Sequence, residues 1–190
     1  MKLHKDIEPF RATIEAVQRL LAKFDNRGVI IGGIAVGFLG RPRLTEDVDA
    51  MFLLSAQDIP KFLEAAKNEN IEPRIPNADE FARKNRVLLL QHSPTETNID
   101  ISLGIMPFEE EMVERGIVQS TATLSVRLPS PEDLIIMKAI AHRPKDIEDI
   151  RTIVDKNPKL DISRIEKWVK QFAEVLEMPS LWDDIESILK

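Results

Sequence analysis

Apolar residues Ile7, Phe10, Ile14, Val17, Leu21 and Phe24 recur every three to four positions, which lays them along one face of a helix. The spacing predicts a helix over roughly 6–26, closed by Asn26-Arg27-Gly28 with Gly28 in the left-handed position after the last turn. Val29-Ile30-Ile31 then reads as a short buried strand entering Gly32-Gly33. Ile34 to Leu39 is small and apolar, a short helix closed by Gly40. Arg41 to Glu46 forms a polar loop, and Asp47 to Leu54 reads as a second strand.

Asp58 is placed to cap a helix over about Ile59 to Asn70. Ile71 to Asp79, interrupted by Pro73 and Pro76, reads as a loop or an edge segment. Val87 to Gln91 and Asn98 to Leu103 are strands separated by the turn-like Ser93-Pro94. A short helix near Pro107–Arg115 precedes Ile117 to Leu128, whose alternation of β-branched and polar residues predicts one or two edge strands. From Ser130 the period is helical throughout, over about 131–142, 145–156, 161–177 and 180–189. Ser130 is the N-cap candidate of the first of these helices, with Pro131 in its first turn and Asp133 near its positive end. The chain therefore reads as α/β (α+β): a mixed sheet flanked by helices over 1–128, then a C-terminal helical part over 129–190.

Composition narrows this picture. A 43% hydrophobic fraction can fill a core, and a formal net charge of −6 disfavours a protein whose main task is gripping duplex nucleic acid. With zero cysteines there is no disulfide, no thiolate zinc site and no thiol nucleophile. His4, His92 and His142 are scattered without ligand spacing, so zinc is not expected. No apolar run approaches the ~20 residues that cross a bilayer, and the charged start, Met1 to Phe10, lacks the apolar stretch of a signal peptide. The expected setting is the cytoplasm. Trp168 and Trp182 fall in the helical part and read as packing residues; the absence of tyrosine argues against an extended base-stacking surface.

The chemistry concentrates in Ile31-Gly32-Gly33-Ile34-Ala35 and Arg43-Leu44-Thr45-Glu46-Asp47-Val48-Asp49. Residues two apart on a strand share a face, so Asp47 and Asp49 project together while Val48 points into the core. Two neighbouring carboxylates repel each other and call for a cation, and magnesium prefers oxygen ligands of this kind. Asp100 lies in the apolar strand Asn98-Ile99-Asp100-Ile101-Ser102. If that strand neighbours the first, three carboxylates converge, enough for a two-metal phosphoryl-transfer centre. Gly32-Gly33 lets backbone approach a ligand closely and opens a helix whose N–H groups face an anion. Arg41, Arg43 and Lys138 are further candidate phosphate partners.

The ordered set of Gly-Gly, Arg-x-Thr-x-Asp-x-Asp and an isolated strand aspartate resembles the DNA polymerase beta-type nucleotidyltransferase superfamily. The later segments Ser130-Pro131-Glu132-Asp133-Leu134-Ile135-Ile136-Met137-Lys138 and Arg143-Pro144-Lys145-Asp146-Ile147-Glu148-Asp149-Ile150 are similar to its AbiEii-type branch, which includes nucleotidyltransferase toxins. The resemblance covers roughly residues 28–155. It implies that Asp47, Asp49 and Asp100 are catalytic and bind magnesium or manganese, and that Asp100 also positions or deprotonates the attacking hydroxyl. It further implies that Gly32, Gly33, Arg43, Thr45 and Lys138 contact the nucleoside triphosphate, with Asp146 and Asp149 as the acidic pair of the last motif. Many superfamily members carry Gly-Ser where this chain has Gly32-Gly33, so one hydroxyl contact to phosphate is missing here.

The expected activity is transfer of a nucleoside monophosphate from an NTP to an acceptor hydroxyl. The acceptors that the branch implies include tRNA, with an antitoxin-like protein as partner. The alternative from another class is an inactive nucleotide-binding or protein-interaction module of the same fold. Lys145, Asp146, Glu148, Asp149 and Arg151 otherwise read as a solvated helix face with i,i+3 and i,i+4 pairing.

Overall fold

The computed structural model describes residues 5–190; Met1 to His4, and with them the candidate His4, lie outside the described residues. After a 3-10 turn at Glu8–Phe10, helix α1 (Arg11–Lys23) buries Ile14, Val17, Leu20 and Leu21. It does not end on Gly28. Asp25 and Asn26 take the left-handed backbone, and the Asn26 N–H donates to the Leu21 carbonyl at 2.8 Å, the long bond that closes a helix C-terminus. Gly28 instead opens strand β1 (Gly28–Ile30), where a Cβ would come within 2.4 Å of the Met51 carbonyl oxygen. A glycine is needed there for close packing rather than for a turn.

Helix α2 (Gly32–Leu39) starts at the glycine pair itself, two residues earlier than the apolar run suggested, and Gly40 caps its end. Strand β2 (Asp47–Phe52) stops two residues short of Leu54. Helix α3 (Ile59–Lys67) has Asp58 at its N-cap, yet the Asp58 carboxylate accepts from the Ser55 N–H and hydroxyl instead of from the helix. The edge strand β3 (Ile71–Pro73) leads into helix α4 (Ala78–Asn85), an element the hydrophobic pattern did not announce. Only Ala78 and Ala82 of α4 are buried, so its apolar stripe is too thin to read. Strands β4 (Val87–His92) and β5 (Thr97–Leu103) follow.

These strands form one mixed sheet in the order β1-β2-β5-β4-β3, with β2 and β5 parallel and the other pairs antiparallel. Period-2 alternation divides its faces. Val48, Ala50, Phe52, Leu88, Leu90, Ile99 and Ile101 are buried, and on that side Phe52 meets Phe24 and Phe62 at ring separations of 6.4 and 4.9 Å. The opposite positions, Asp47 and Asp49 on β2 and Asn98, Asp100 and Ser102 on β5, stay half-buried. One face anchors the sheet to α1 and α3 and the other presents polar groups.

Helix α5 (Pro107–Glu114) leads to a separate antiparallel hairpin of β6 (Ile117–Ser120) and β7 (Ser125–Leu128), with β7 lying against β1. The helical part then runs as α6 (Pro131–Ala141), α7 (Pro144–Lys156), α8 (Ile162–Val175) and α9 (Leu181–Leu189). Ser130 caps α6 as anticipated, its hydroxyl accepting from the Asp133 N–H at 3.1 Å. Helix α6 packs on α7 and α8, and both α6 and α7 lean on α2. Trp168 and Trp182 are buried, and Phe108 joins Trp168 and Phe172 edge-on, tying α5 to α8. One hydrophobic cluster runs from Ile14 through Val48 and Ile99 to Ile150, Ile165 and Ile185, so the helices seat on the core that carries the sheet. Among the described residues no helix is long and apolar enough to cross a membrane.

Candidate active site

The parallel register of β2 and β5 sets Asp49 directly opposite Asp100 and Asp47 opposite Asn98. Asp47, Asp49 and Asp100 each present a carboxylate oxygen, and the three oxygens lie within 4.8 Å of one another. Like charges this close disfavour ionisation. Asp49 is accordingly pushed up from an ordinary 3.8 to about 6, first by burial and then by the charges of Asp47 and Asp100, with Lys138 and Lys145 pulling the other way. Asp100 is also raised, chiefly by burial, against the opposing pull of Arg74. An all-oxygen donor set in which the anionic forms of Asp49 and Asp100 are disfavoured is suited to a hard divalent cation.

The glycine pair sits hard against these carboxylates. Gly32 has φ +63, and a Cβ there would fall 1.9 Å from Asp49 Oδ2. A Cβ on Gly33 would fall 2.7 Å from Thr45 Oγ1. The Thr45 hydroxyl in turn donates to Asp47 Oδ1 at 3.1 Å and so orients that carboxylate. The N-cap of α2, Ile31, supplies no side-chain cap, and its own N–H is used by the Asp49 carbonyl at 2.9 Å. The first turn of α2 is thus an N–H-rich surface beside the acidic cluster.

The basic candidates are organised by α7. Lys138 Nζ lies 2.9 Å from Asp146 Oδ1 and 2.9 Å from Asp149 Oδ2. Arg43 grips Asp149 with two parallel bonds of 2.8 and 3.0 Å, while Arg143 Nε donates to Asp146 Oδ2 at 2.6 Å. Arg41 pairs with Asp155 at the surface. Asp146 and Asp149 are therefore not part of a solvated helix face: they are 0% and 3% exposed. The helical period that predicted α7 is correct, but its polar side points into a charged interior rather than to water. Glu148 and Arg151 do form an exposed i,i+3 pair.

A cavity of about 180 Å³ joins the two halves, lined among others by Gly32, Asp49, Lys138, Arg143 and Asp146. Asp49 stands on its sheet side, and Lys138 and Arg143, bridged by Asp146, on its helical side. A larger hollow of about 540 Å³ between α8 and α9 is lined by Lys170, Glu174 and Trp182 and contains none of the candidate residues.

Two participants escaped the sequence reading. Arg74, just after β3, reaches Asp100 Oδ1 with its guanidinium. Nothing local marks an arginine between two prolines as the partner of a residue 26 positions on. Arg143 did carry a signal: it precedes Pro144, and Asp146 in the first turn of α7 accepts from the Arg143 N–H at 3.3 Å, one half of a capping box.

Known proteins share this architecture. A nucleotidyltransferase-like antigen from Paracoccidioides brasiliensis superposes with a TM-score of 0.53 at 16% identity, covering 94% of this chain and 93% of that one. ANT(2")-Ia, solved in complex with adenylyl-2"-tobramycin, superposes with a TM-score of 0.54 at 16% identity, covering 86% of this chain and 98% of that one. No curated protein sequence matches. Residues 8–181 match the family model described as a nucleotidyltransferase of unknown function (DUF6036), and the chain belongs to that nucleotidyltransferase family.

Proposed function

We propose that this protein transfers a nucleoside monophosphate from an NTP to an acceptor hydroxyl and releases pyrophosphate. The observation that carries the reading is the meeting of three carboxylate oxygens within 4.8 Å, with one of those carboxylates against a glycine that admits no side chain. Asp47, Asp49 and Asp100 would hold magnesium or manganese. Such ions, when bound, neutralise phosphate charge and make the phosphorus more electrophilic.

The remaining work falls to the chain itself. The N–H groups at the start of α2, beside Gly32 and Gly33, receive the triphosphate tail. Lys138, Arg43 and Arg143 supply positive charge on the far wall, held in place by Asp146 and Asp149. Thr45 keeps Asp47 in its orientation. Asp100 takes up the hydrogen bond, and then the proton, of the attacking hydroxyl. The hydroxyl oxygen bonds to the α-phosphorus, the bond from that phosphorus to the bridging oxygen breaks, and pyrophosphate leaves with the electron pair. Alignment and charge neutralisation supply the rate.

The acceptor panel follows from two sources. ANT(2")-Ia was solved in complex with adenylyl-2"-tobramycin, and the AbiEii-like motifs around Ser130–Lys138 and Arg143–Ile150 bring in tRNA together with an antitoxin-like partner. We keep the cytoplasm as the setting, where NTP and magnesium are both abundant. The test is incubation of the protein with labelled NTPs, a divalent cation and hydroxyl acceptors that include aminoglycosides and tRNA. Labelled product that disappears in Asp47→Ala and Asp49→Ala supports the reading. Unchanged labelling in both variants rejects it, and nucleotide binding without any product reduces the protein to a binding module.

A further inference from the structure

The backbone places Arg74, Leu89, Asp100, Asp49 and Ile31 in a single row across the sheet. Leu89 is the register partner of Asp100, and Asp100 that of Asp49. The Arg74 N–H donates to the Leu89 carbonyl at 3.1 Å, and the Ile31 N–H donates to the Asp49 carbonyl at 2.9 Å. Gly32 follows Ile31 at one end of the row, and Arg74 stands at the other. Arg74 thus extends over Leu89 and pairs with Asp100 from the side remote from the glycine elbow.

The three carboxylates are therefore unequal. Asp100 has a guanidinium partner, whereas among the described residues neither Asp47 nor Asp49 forms an ion pair. Lys138, the cation acting most strongly on Asp49, is already shared by Asp146 and Asp149. A divalent ion settling on Asp47 and Asp49 meets no competitor. An ion that also needs Asp100 must displace Arg74.

We propose that Arg74 is a positioning residue that competes with the second divalent cation for Asp100. It keeps the cluster incomplete until a ligand brings further anionic oxygens. The inference rests on the metal-binding reading above and deepens it. A half-buried guanidinium–carboxylate pair is a modest competitor, so its removal is read as a fold-change in cation affinity rather than as an all-or-none effect.

The experiment is titration of the metal-free protein with Mn²⁺ alone, with free ion followed by electron paramagnetic resonance. Wild type is expected to bind one Mn²⁺ more tightly than a second. Arg74→Gln tightens the second site roughly tenfold with little change in the first, Arg74→Lys retains the wild-type pattern, and Asp100→Asn abolishes the second site whichever residue stands at 74. Equal second-site affinity in wild type and Arg74→Gln overturns the proposal while leaving the metal centre intact. No Mn²⁺ binding by wild type, with no difference from Asp49→Asn, overturns the metal centre itself and this proposal with it. Thermal unfolding checks the integrity of each variant, and Arg74→Met, which keeps the aliphatic stem, repeats the test if Arg74→Gln does not fold.

Discussion

Gly32 and Asp49 fit together only because one of them has no side chain: a Cβ at Gly32 would stand 1.9 Å from Asp49 Oδ2, on a backbone with φ +63. Both the space and the backbone angle reject any other residue. Gly32→Ala should cost about 1–3 kcal/mol of stability and push the Asp49 carboxylate out of the cluster. Urea unfolding measures the first effect and Mn²⁺ titration the second. Wild-type Mn²⁺ affinity in Gly32→Ala would show that Asp49 does not need its present position.

Asp49 also makes stability depend on pH in a direction opposite to most carboxylates. Its folded value of about 6 lies above its ordinary 3.8, so the folded state holds the proton more firmly than the unfolded chain. Its contribution is complete below the ordinary value and is lost as pH rises through the folded one, a change on the order of 3 kcal/mol. The measurement is the difference in unfolding free energy between wild type and Asp49→Asn across that window, without metal. The difference should move against wild type as pH rises, and saturating magnesium should reverse the trend.

Lys138 is 6% exposed and holds two buried carboxylates. Lys138→Met leaves Asp146 and Asp149 with Arg143 and Arg43 alone, a loss of about 3 kcal/mol. Burial raises the Asp146 carboxyl, but hydrogen bonds from Arg143 and Lys138 outweigh it and the net shift is downward. The stability that Asp146 contributes is present above the ordinary carboxylate value and disappears as pH falls through the lowered folded value. Acid titration of unfolding should therefore show a smaller acid loss in Lys138→Met than in wild type.

Asp133 binds the helical part together from inside. It is fully buried, accepts from the Ser130 hydroxyl at 2.9 Å and from Arg164 Nε at 2.7 Å, and Arg164 Nη1 continues to Glu111 at 2.7 Å. Asp133→Ala leaves Arg164 with Glu111 as its one remaining carboxylate partner, and should destabilise by about 3 kcal/mol. Asp133→Asn, which keeps one acceptor oxygen, should lose less. Guanidinium denaturation of the pair gives the ranking; equal stability in the two variants would mean that the network contributes little.

What could be read in advance was what depends on period. Alternation over Asp47-Val48-Asp49 was enough to put both carboxylates on one face, and the helical spacing from Ser130 onward located α6 to α9 within a few residues. Adjacency was harder. That Asp49 faces Asp100 depends on a parallel register between strands 51 positions apart in sequence, separated by α3, β3, α4 and β4, and no local signal fixes it. The burial of Asp146 and Asp149 was missed for a related reason. Charged residues at helical spacing look alike whether they meet water or a cluster of cations, and only the packing of α7 on α2 and α6 distinguishes the two. At Gly28 the sequence suggests a turn because glycine permits left-handed backbone, whereas its use is to let β1 approach β2 and Leu21.

The most direct test is crystallography of the protein with a non-hydrolysable NTP analogue and Mn²⁺, using the anomalous signal of manganese. A peak coordinated by Asp47 and Asp49 is expected, with the triphosphate against the first turn of α2 and facing Lys138. Nucleotide bound elsewhere, or a map with no manganese at these carboxylates, would contradict it.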